Sequence, residues 1–180
     1  MKIETDRLEM RQMHLWDALA LYNIFKHPEF FYAYTHQDNA NLIFSSVKYA
    51  FLAEASHIVL PKQHKIMSVF LKNEEHMIGA AVLTDIKQTE EFGVQAEIGY
   101  FIDKLYQGNG YAFEAISGLI QHEKANGNLN SVWAVTDKDN IASQKTLEKI
   151  PLKQVGYEEK SQYKARNGET TSRYHYRGVI

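Results

Sequence analysis

No cysteine occurs anywhere in the 180 residues. Disulfides, thiolate-held metals and cysteine nucleophiles are excluded together. No apolar run approaches the ~20 residues that a bilayer-spanning helix needs. The amino terminus, Met1-Lys-Ile-Glu-Thr-Asp6, is acidic where a signal peptide would be apolar. A soluble cytoplasmic protein without membrane contact is the expectation. An excess of charge is missing too: a net charge of −2 and a pI near 6.4 leave no electrostatic footprint for nucleic acid. Repeats, linkers and low-complexity tracts are absent. What is present is 44% hydrophobic and 23% charged residues, which argues against disorder. A single domain over residues 1–180 could bury a substantial core.

Ile3 to Met13 reads as a first strand, with Ile3, Leu8, Met10 and Met13 apolar among polar neighbours. Leu15 to Phe25 places Leu15, Ala18, Leu19, Tyr22 and Phe25 on one helical face, and His27-Pro28 stops it. The aromatic run Phe30 to Tyr34 suits a core or packed loop, and also the wall of a substrate pocket. Asn41 to Glu54 predicts a second helix. Lys65 to Lys72 and Met77 to Ile86 predict a hairpin across Asn73–His76. Gln95 to Ile102 is strong strand, and Tyr111 to Asn126 is helix, closed by Asn126-Gly127-Asn128. Ser131 to Thr136 is a short strand, and Ile141 to Ile150 a helix halted by Pro151. Leu152 to Lys164 and Thr170 to Val179 form a closing hairpin around Arg166-Asn167-Gly168. The order is β-α-α-β-β-β-α-β-α-β-β, an α/β arrangement on a mixed sheet.

The stretch Gly99 to Glu114 carries the most chemistry. A strand enters a loop holding Gly108 and Gly110, and a helical pattern starts at once. Such a turn presents unpaired N–H groups at the positive end of a helix dipole, which favours phosphate. Glycines also simply turn a chain, and both readings fit the loop alone. A dinucleotide fingerprint would need a further glycine where Phe113 stands. A P-loop would need a lysine that Gly110-Tyr111-Ala112 lacks.

Gln107-Gly-Asn-Gly110-Tyr-Ala112 instead resembles the Q/R-x-x-G-x-G/A signature of the GCN5-related N-acetyltransferases (GNAT). The resemblance spans about residues 4 to 179. Glu4-Thr-Asp-Arg-Leu-Glu-Met-Arg11 and Ala96-Glu-Ile-Gly-Tyr-Phe-Ile102 are similar to the ribosomal-protein N-terminal (RimJ/RimL-like) branch, and Asn140 to Lys149 resembles the second motif of the superfamily. It implies a mixed, mostly antiparallel sheet flanked by helices, the acyl-CoA N-acyltransferase fold. It also implies acetyl-coenzyme A as co-substrate, no metal, and an amine acceptor that is a protein N-terminus or a small amine. Backbone amides around Gly108, Asn109, Gly110, Tyr111 and Ala112, after Gln107, would hold the pyrophosphate. Phe101 and Ile102 would pair with the pantetheine arm, Asn140 would reach the cofactor, and Ser143 would lie near the sulfur. Two departures stand out. Lys149-Ile-Pro151-Leu152 replaces the usual Lys-x-Gly-Phe, so this corner must follow another path. Leu147 stands where many members carry a tyrosine as general acid; leucine there is common in the ribosomal branch that the chain resembles.

Acetyl transfer needs a deprotonated amine, a stabilised oxyanion and a reprotonated thiolate. Glu97, in the strand before the glycine loop, is the best candidate base; a surface carboxylate or an ion pair is the alternative. Ser143 could donate to the departing sulfur, or cap its helix. The Ile102 N–H is a candidate oxyanion donor, and Tyr100 reads as core. The eight histidines, among them His14, His57, His64, His122 and His175, show no metal-ligand spacing. An active N-acetyltransferase, monomeric or homodimeric, and a non-catalytic acyl-coenzyme-A-binding sensor or scaffold both satisfy these residues. A different phosphate-ligand protein is a third reading.

Overall fold

The computed structural model of the chain describes residues 1–27, 42–59, 63–160 and 170–180, and within 42–59 the side chains of 46–55. The aromatic run Phe30 to Tyr34, the Arg166-Asn167-Gly168 turn and the His57 side chain lie outside the described residues.

The first segment is two strands rather than one: β1 (Lys2–Glu4) and β2 (Leu8–Gln12) pair antiparallel, Lys2 opposite Arg11. The reversal comes from Thr5. Its N–H donates to the Leu8 carbonyl at 3.0 Å and its Oγ1 accepts the Leu8 N–H at 3.1 Å. A hydroxyl that satisfies backbone locally offers the chain an alternative to continued strand. A 3₁₀ turn (Leu15–Asp17) then leads into α1 (Ala18–Phe25), and α2 (Leu42–Val59) follows in sequence.

The remaining elements are β3 (Lys65–Leu71), β4 (Met77–Thr89), β5 (Gly93–Ile102), α3 (Tyr111–Ala125), β6 (Ser131–Asp137), α4 (Ile141–Leu147), β7 (Lys153–Glu158) and β8 (Arg173–Val179). The strands form one sheet in the order β1-β2-β3-β4-β5-β6-β8-β7. Neighbours are antiparallel except β5 and β6, which run parallel. A parallel pair needs a crossover long enough to return the chain, and α3 supplies it. The expected mixed, mostly antiparallel sheet flanked by helices is therefore present, with one strand more.

Apolar side chains fill both faces. Ile3, Leu8, Met10, Ala96 and Ile98 pack with Ala115, Ile116 and Leu119 of α3. Leu21, Ile24 and Phe25 of α1 and Ala50 and Ala53 of α2 pack on Phe70, Val82 and Phe101 opposite. Strand β5 thus sends Ala96 and Ile98 to one core and Phe101 to the other, as a period of two requires. The Phe25 ring meets Phe101 at 5.4 Å and Tyr49 at 5.6 Å, in the tilted and edge geometries that aromatic pairs favour. Between β2 and the 3₁₀ turn, the buried Asp17 carboxylate takes Arg11 Nη2 at 2.7 Å, Arg11 Nη1 at 2.9 Å and the Ser68 hydroxyl at 2.8 Å.

Helix α4 ends at Leu147, earlier than the expected Ile150. The residue before proline avoids the α region, so Pro151 acts one turn upstream. The departing chain then crosses β8 closely: a Cβ on Gly178 would collide with the Pro151 carbonyl.

Candidate active site

Parallel pairing of β5 with β6 covers Gln95–Ser131, Ala96–Val132 and Glu97–Trp133 and then stops. Strand β5 runs on to Ile102 beside β4, while β6 runs on to Asp137 beside β8. The two strands therefore part immediately after Glu97 and open a fork in the sheet. Both carboxyl ends face the same side, and each leads into a helix start, α3 or α4. Ligands bind at such a split because backbone N–H groups and helix dipoles converge there.

The loop after β5 is braced from within. The Asp103 carboxylate accepts the Leu105 N–H at 3.0 Å. Gln107 Nε2 donates to the Ile102 carbonyl at 2.9 Å, and Asn109 Nδ2 donates to the Tyr106 carbonyl at 3.1 Å and the Gln107 carbonyl at 3.2 Å. The Gln107 and Asn109 amides are thus spent on loop shape. Gly108 and Gly110 both have φ of +81°, a conformation that costs any other L-residue. A Cβ on Gly108 would meet nothing within 4 Å, so the space before the loop is open. Tyr111 and Ala112 open α3, and Glu114 N–H reaches the Gly110 carbonyl at 3.1 Å. Glycines at positive φ, an open approach and a helix start together suit a pyrophosphate held by main chain.

Sequence reasoning missed what pins this loop from outside. Arg7, in the β1–β2 turn, donates Nη1 to the Asn109 carbonyl at 3.1 Å and Nε to Glu114 Oε2 at 2.7 Å. Its guanidinium lies 4.7 Å from the Tyr111 ring centroid. Glu114 also accepts the Thr5 hydroxyl at 2.6 Å and the Arg7 N–H at 2.8 Å. Burial pushes the Glu114 carboxyl up, but these hydrogen bonds and the guanidinium outweigh it and hold it below its ordinary range. No local pattern could have linked residues so far apart in the chain.

At the other prong, the Asn140 carbonyl Oδ1 accepts the Ser143 N–H at 3.2 Å and caps α4. Gln144 Nε2 donates to the Lys138 carbonyl at 2.7 Å, closing the turn between β6 and α4. The Tyr100 hydroxyl lies 3.1 Å from Ser143 Oγ and 3.2 Å from the Ser143 carbonyl oxygen. Its ring packs against the α3-side core, as read from the sequence; its hydroxyl does more. Glu97 stands at the last rung before the fork, opposite Thr84 on β4 and Trp133 on β6. Strand alternation puts it on the α1/α2 face with Phe101, away from Tyr100 and Ser143. Burial, and then the negative Asp85, push its carboxyl above the usual range against the pull of Arg173. A half-buried carboxylate tuned upward is a better base near neutral pH.

Among the described residues no helix is long and apolar enough to cross a membrane. The family model for the acetyltransferase (GNAT) domain matches residues 7–153. The chain is 30% identical over 154 residues to the uncharacterized N-acetyltransferase p20 of Bacillus licheniformis, covering 84% of this chain and 82% of that protein. In structure it resembles RimL, a ribosomal L7/L12 alpha-N-protein acetyltransferase solved with coenzyme A, with a TM-score of 0.82 at 20% identity over 100% of this chain and 98% of that one. It also resembles the microcin C7 self-immunity acetyltransferase MccE solved with acetyl-CoA and AMP, with a TM-score of 0.78 at 21% identity over 98% and 94% of the two chains.

Proposed function

Because the chain belongs to the GNAT acetyltransferase family, we propose that it moves the acetyl group of acetyl-coenzyme A directly to a primary amine. The observation that carries this reading is the fork: β5 and β6 separate at Glu97, between a loop with Gly108 and Gly110 at positive φ and the Tyr100–Ser143 contact. Residues 1–180 would act as one N-acetyltransferase domain. Amides from Gly108 to Ala112 would hold the pyrophosphate, and the β5 edge at Phe101 and Ile102 would line the pantetheine arm, as an added strand pairs with a sheet edge. Asn140 would approach from the end of β6.

The reactive thioester is the contribution of acetyl-coenzyme A, and this chain's residues manage protons around it. Glu97 takes the proton of the incoming amine from the α1/α2 face. The Ile102 N–H faces the developing oxyanion. Ser143 returns a proton to sulfur from the opposite face. A peptide α-amine, with a reference pKa of about 7.7–8.0, asks little of its base, whereas a lysine near 10.4 asks more. We therefore favour an α-amine, on a protein N-terminus or a small molecule. The fold shared with RimL and with a ribosomal-protein-S5-alanine acetyltransferase of Vibrio fischeri supports that choice.

The test is thiol release with acetyl-coenzyme A against a panel of peptide α-amines, lysine ε-amines and small amines. Turnover on α-amines supports the reading. Tight coenzyme A binding without turnover on any amine would replace it with a non-catalytic sensor. An unshifted melting temperature at high acetyl-coenzyme A would point to another phosphate ligand.

A further inference from the structure

The hydroxyl of Tyr100 reaches two oxygens of Ser143, the main-chain carbonyl at 3.2 Å and Oγ at 3.1 Å, and it has one proton for the two. With that proton on the carbonyl, Tyr100 Oη is the acceptor left for Ser143, whose hydroxyl then points back toward the ring. With it on Oγ, the serine proton is turned away from Tyr100 and toward the fork. The Tyr100 hydroxyl can therefore set which way Ser143 donates. The backbone leaves Ser143 little choice of position, because its N–H is bonded to Asn140 Oδ1 at 3.2 Å and it sits in the first turn of α4.

Acidity points the same way. A departing thiolate resembles an alkyl thiol, with a reference pKa of about 8.5, and a phenol has a reference pKa of about 10. An aliphatic alcohol holds its proton far more tightly than either, so serine alone is a poor proton source. Helix α4 has Leu147, an apolar residue with no proton to give, one turn on from Ser143. The strand β5 tyrosine is the acid that the structure places against this serine.

We propose that Tyr100 is the positioning residue and the proton reserve for Ser143, so that the proton reaching sulfur is replaced from the Tyr100 hydroxyl. The inference rests on the acetyltransferase reading of the fork. After the amine nitrogen has bonded to the acetyl carbon, the carbon–sulfur bond breaks and sulfur keeps the electron pair. Sulfur takes the Ser143 hydroxyl proton, Ser143 Oγ takes the Tyr100 proton, and water reprotonates the phenolate. Nitrogen loses its surplus protons through Glu97 to solvent, so an ammonium and a thioester give an amide, a thiol and one released proton.

The experiment compares the wild type with Tyr100→Phe, Ser143→Ala and the double variant. Phenylalanine keeps the ring that packs on the core and removes only the hydroxyl. Expected is a kcat about 10- to 100-fold lower in Tyr100→Phe, with the KM for acetyl-coenzyme A and the calorimetric Kd for coenzyme A within about twofold. The double variant should be no slower than the slower single variant, since both act in one relay. A second readout needs no turnover: with tyrosine labelled at the ring Cζ, the carbon resonance missing from Tyr100→Phe should move in Ser143→Ala. An unchanged kcat in Tyr100→Phe, independent additive losses, a loss carried by KM, or an unmoved resonance would each overturn the relay. If wild-type turnover persists in those cases, the acetyltransferase reading survives. If the wild type acetylates no amine, that reading fails and the relay with it.

Discussion

Arg7 grips Glu114 across 107 residues of sequence, with Nε and Nη2 at 2.7 and 2.6 Å from Oε2, while its Nη1 bonds the Asn109 carbonyl. One guanidinium therefore fixes the N-terminal hairpin, the glycine loop and the first turn of α3 together. It also neutralises a carboxylate that lies beside the loop proposed to hold pyrophosphate.

Arg7→Ala should raise the Kd for coenzyme A by about 10-fold, because it leaves Glu114 ionised near an anion; a charge-assisted pair of this kind is worth about 1–2 kcal/mol once its partial exposure is allowed for. Adding Glu114→Gln to Arg7→Ala should recover part of the affinity. Calorimetry on the two variants measures this, and a double variant as weak as Arg7→Ala would refute the charge argument.

Glu97→Gln should slow the enzyme and stabilise it. Burial and Asp85 hold the folded carboxyl above its unfolded value, so the folded state binds more protons than the unfolded chain in that interval. Stability is therefore lost as pH rises from about 4.3 through the folded pKa. Glutamine removes that loss, so the variant should melt higher than wild type at pH 7, and the gap should shrink toward pH 4. Turnover should fall by about 100-fold or more at pH 6.5 and by less above pH 8.5, where an α-amine is already neutral. A rate deficit independent of pH would remove Glu97 from the role of base.

Several features were legible because they follow from local chain chemistry. Gly108 and Gly110 announce positive φ, the apolar stripe from Ala112 to Ile120 announces α3, and the order of elements follows from periodicity. What escaped the sequence depends on partners far along the chain. Arg7 could not be matched to Glu114 by any spacing. Tyr100 read as core because strand alternation reports where a ring packs, and says nothing of where its hydroxyl ends. The β1–β2 break was overlooked because Ile3 to Met13 reads as one set of apolar residues among polar neighbours. The unbroken polar run Glu4-Thr5-Asp6-Arg7, where the Thr5 side chain turns the backbone, nevertheless interrupts the alternation. The fork itself leaves no mark in composition: β5 reads as one continuous strand although its parallel partner leaves at Glu97.

Arg11→Ala should destabilise the fold by about 3 kcal/mol, since it strands the buried Asp17 carboxylate. In the wild type, burial pushes Asp17 up, but hydrogen bonds from Arg11, the His14 N–H and Ser68 prevail, and its pKa lies below the ordinary value. The stability it contributes is then present above about pH 4 and lost as pH falls through the depressed folded pKa. Without Arg11 the folded pKa rises toward the unfolded one, so the acid limb should shrink and the gap between wild type and variant should narrow toward pH 3. Urea melts at pH 3 to 7 follow both effects, and an acid limb unchanged by the substitution would show that Arg11 does not set it.

Gly79 and Gly108 should fail in different ways. A Cβ on Gly79 would collide with the Phe101 carbonyl and crowd Ile102, so Gly79→Ala must push β4 away from β5 at the fork. Backbone cannot yield as a flexible side chain does, and the cost should be about 2–3 kcal/mol of stability, seen as a lower melting temperature. A Cβ on Gly108 meets no protein atom, so Gly108→Ala costs only the positive φ, about 1–2 kcal/mol. Its methyl group would enter the open space where the anion is proposed to sit. Affinity for coenzyme A should therefore fall by more than the loss of stability explains. Gly108→Asn separates the two terms, because asparagine tolerates this backbone but still fills the cradle. Near-normal melting with weakened coenzyme A binding in Gly108→Asn is the expected result; wild-type affinity in that variant would move the pyrophosphate away from this loop.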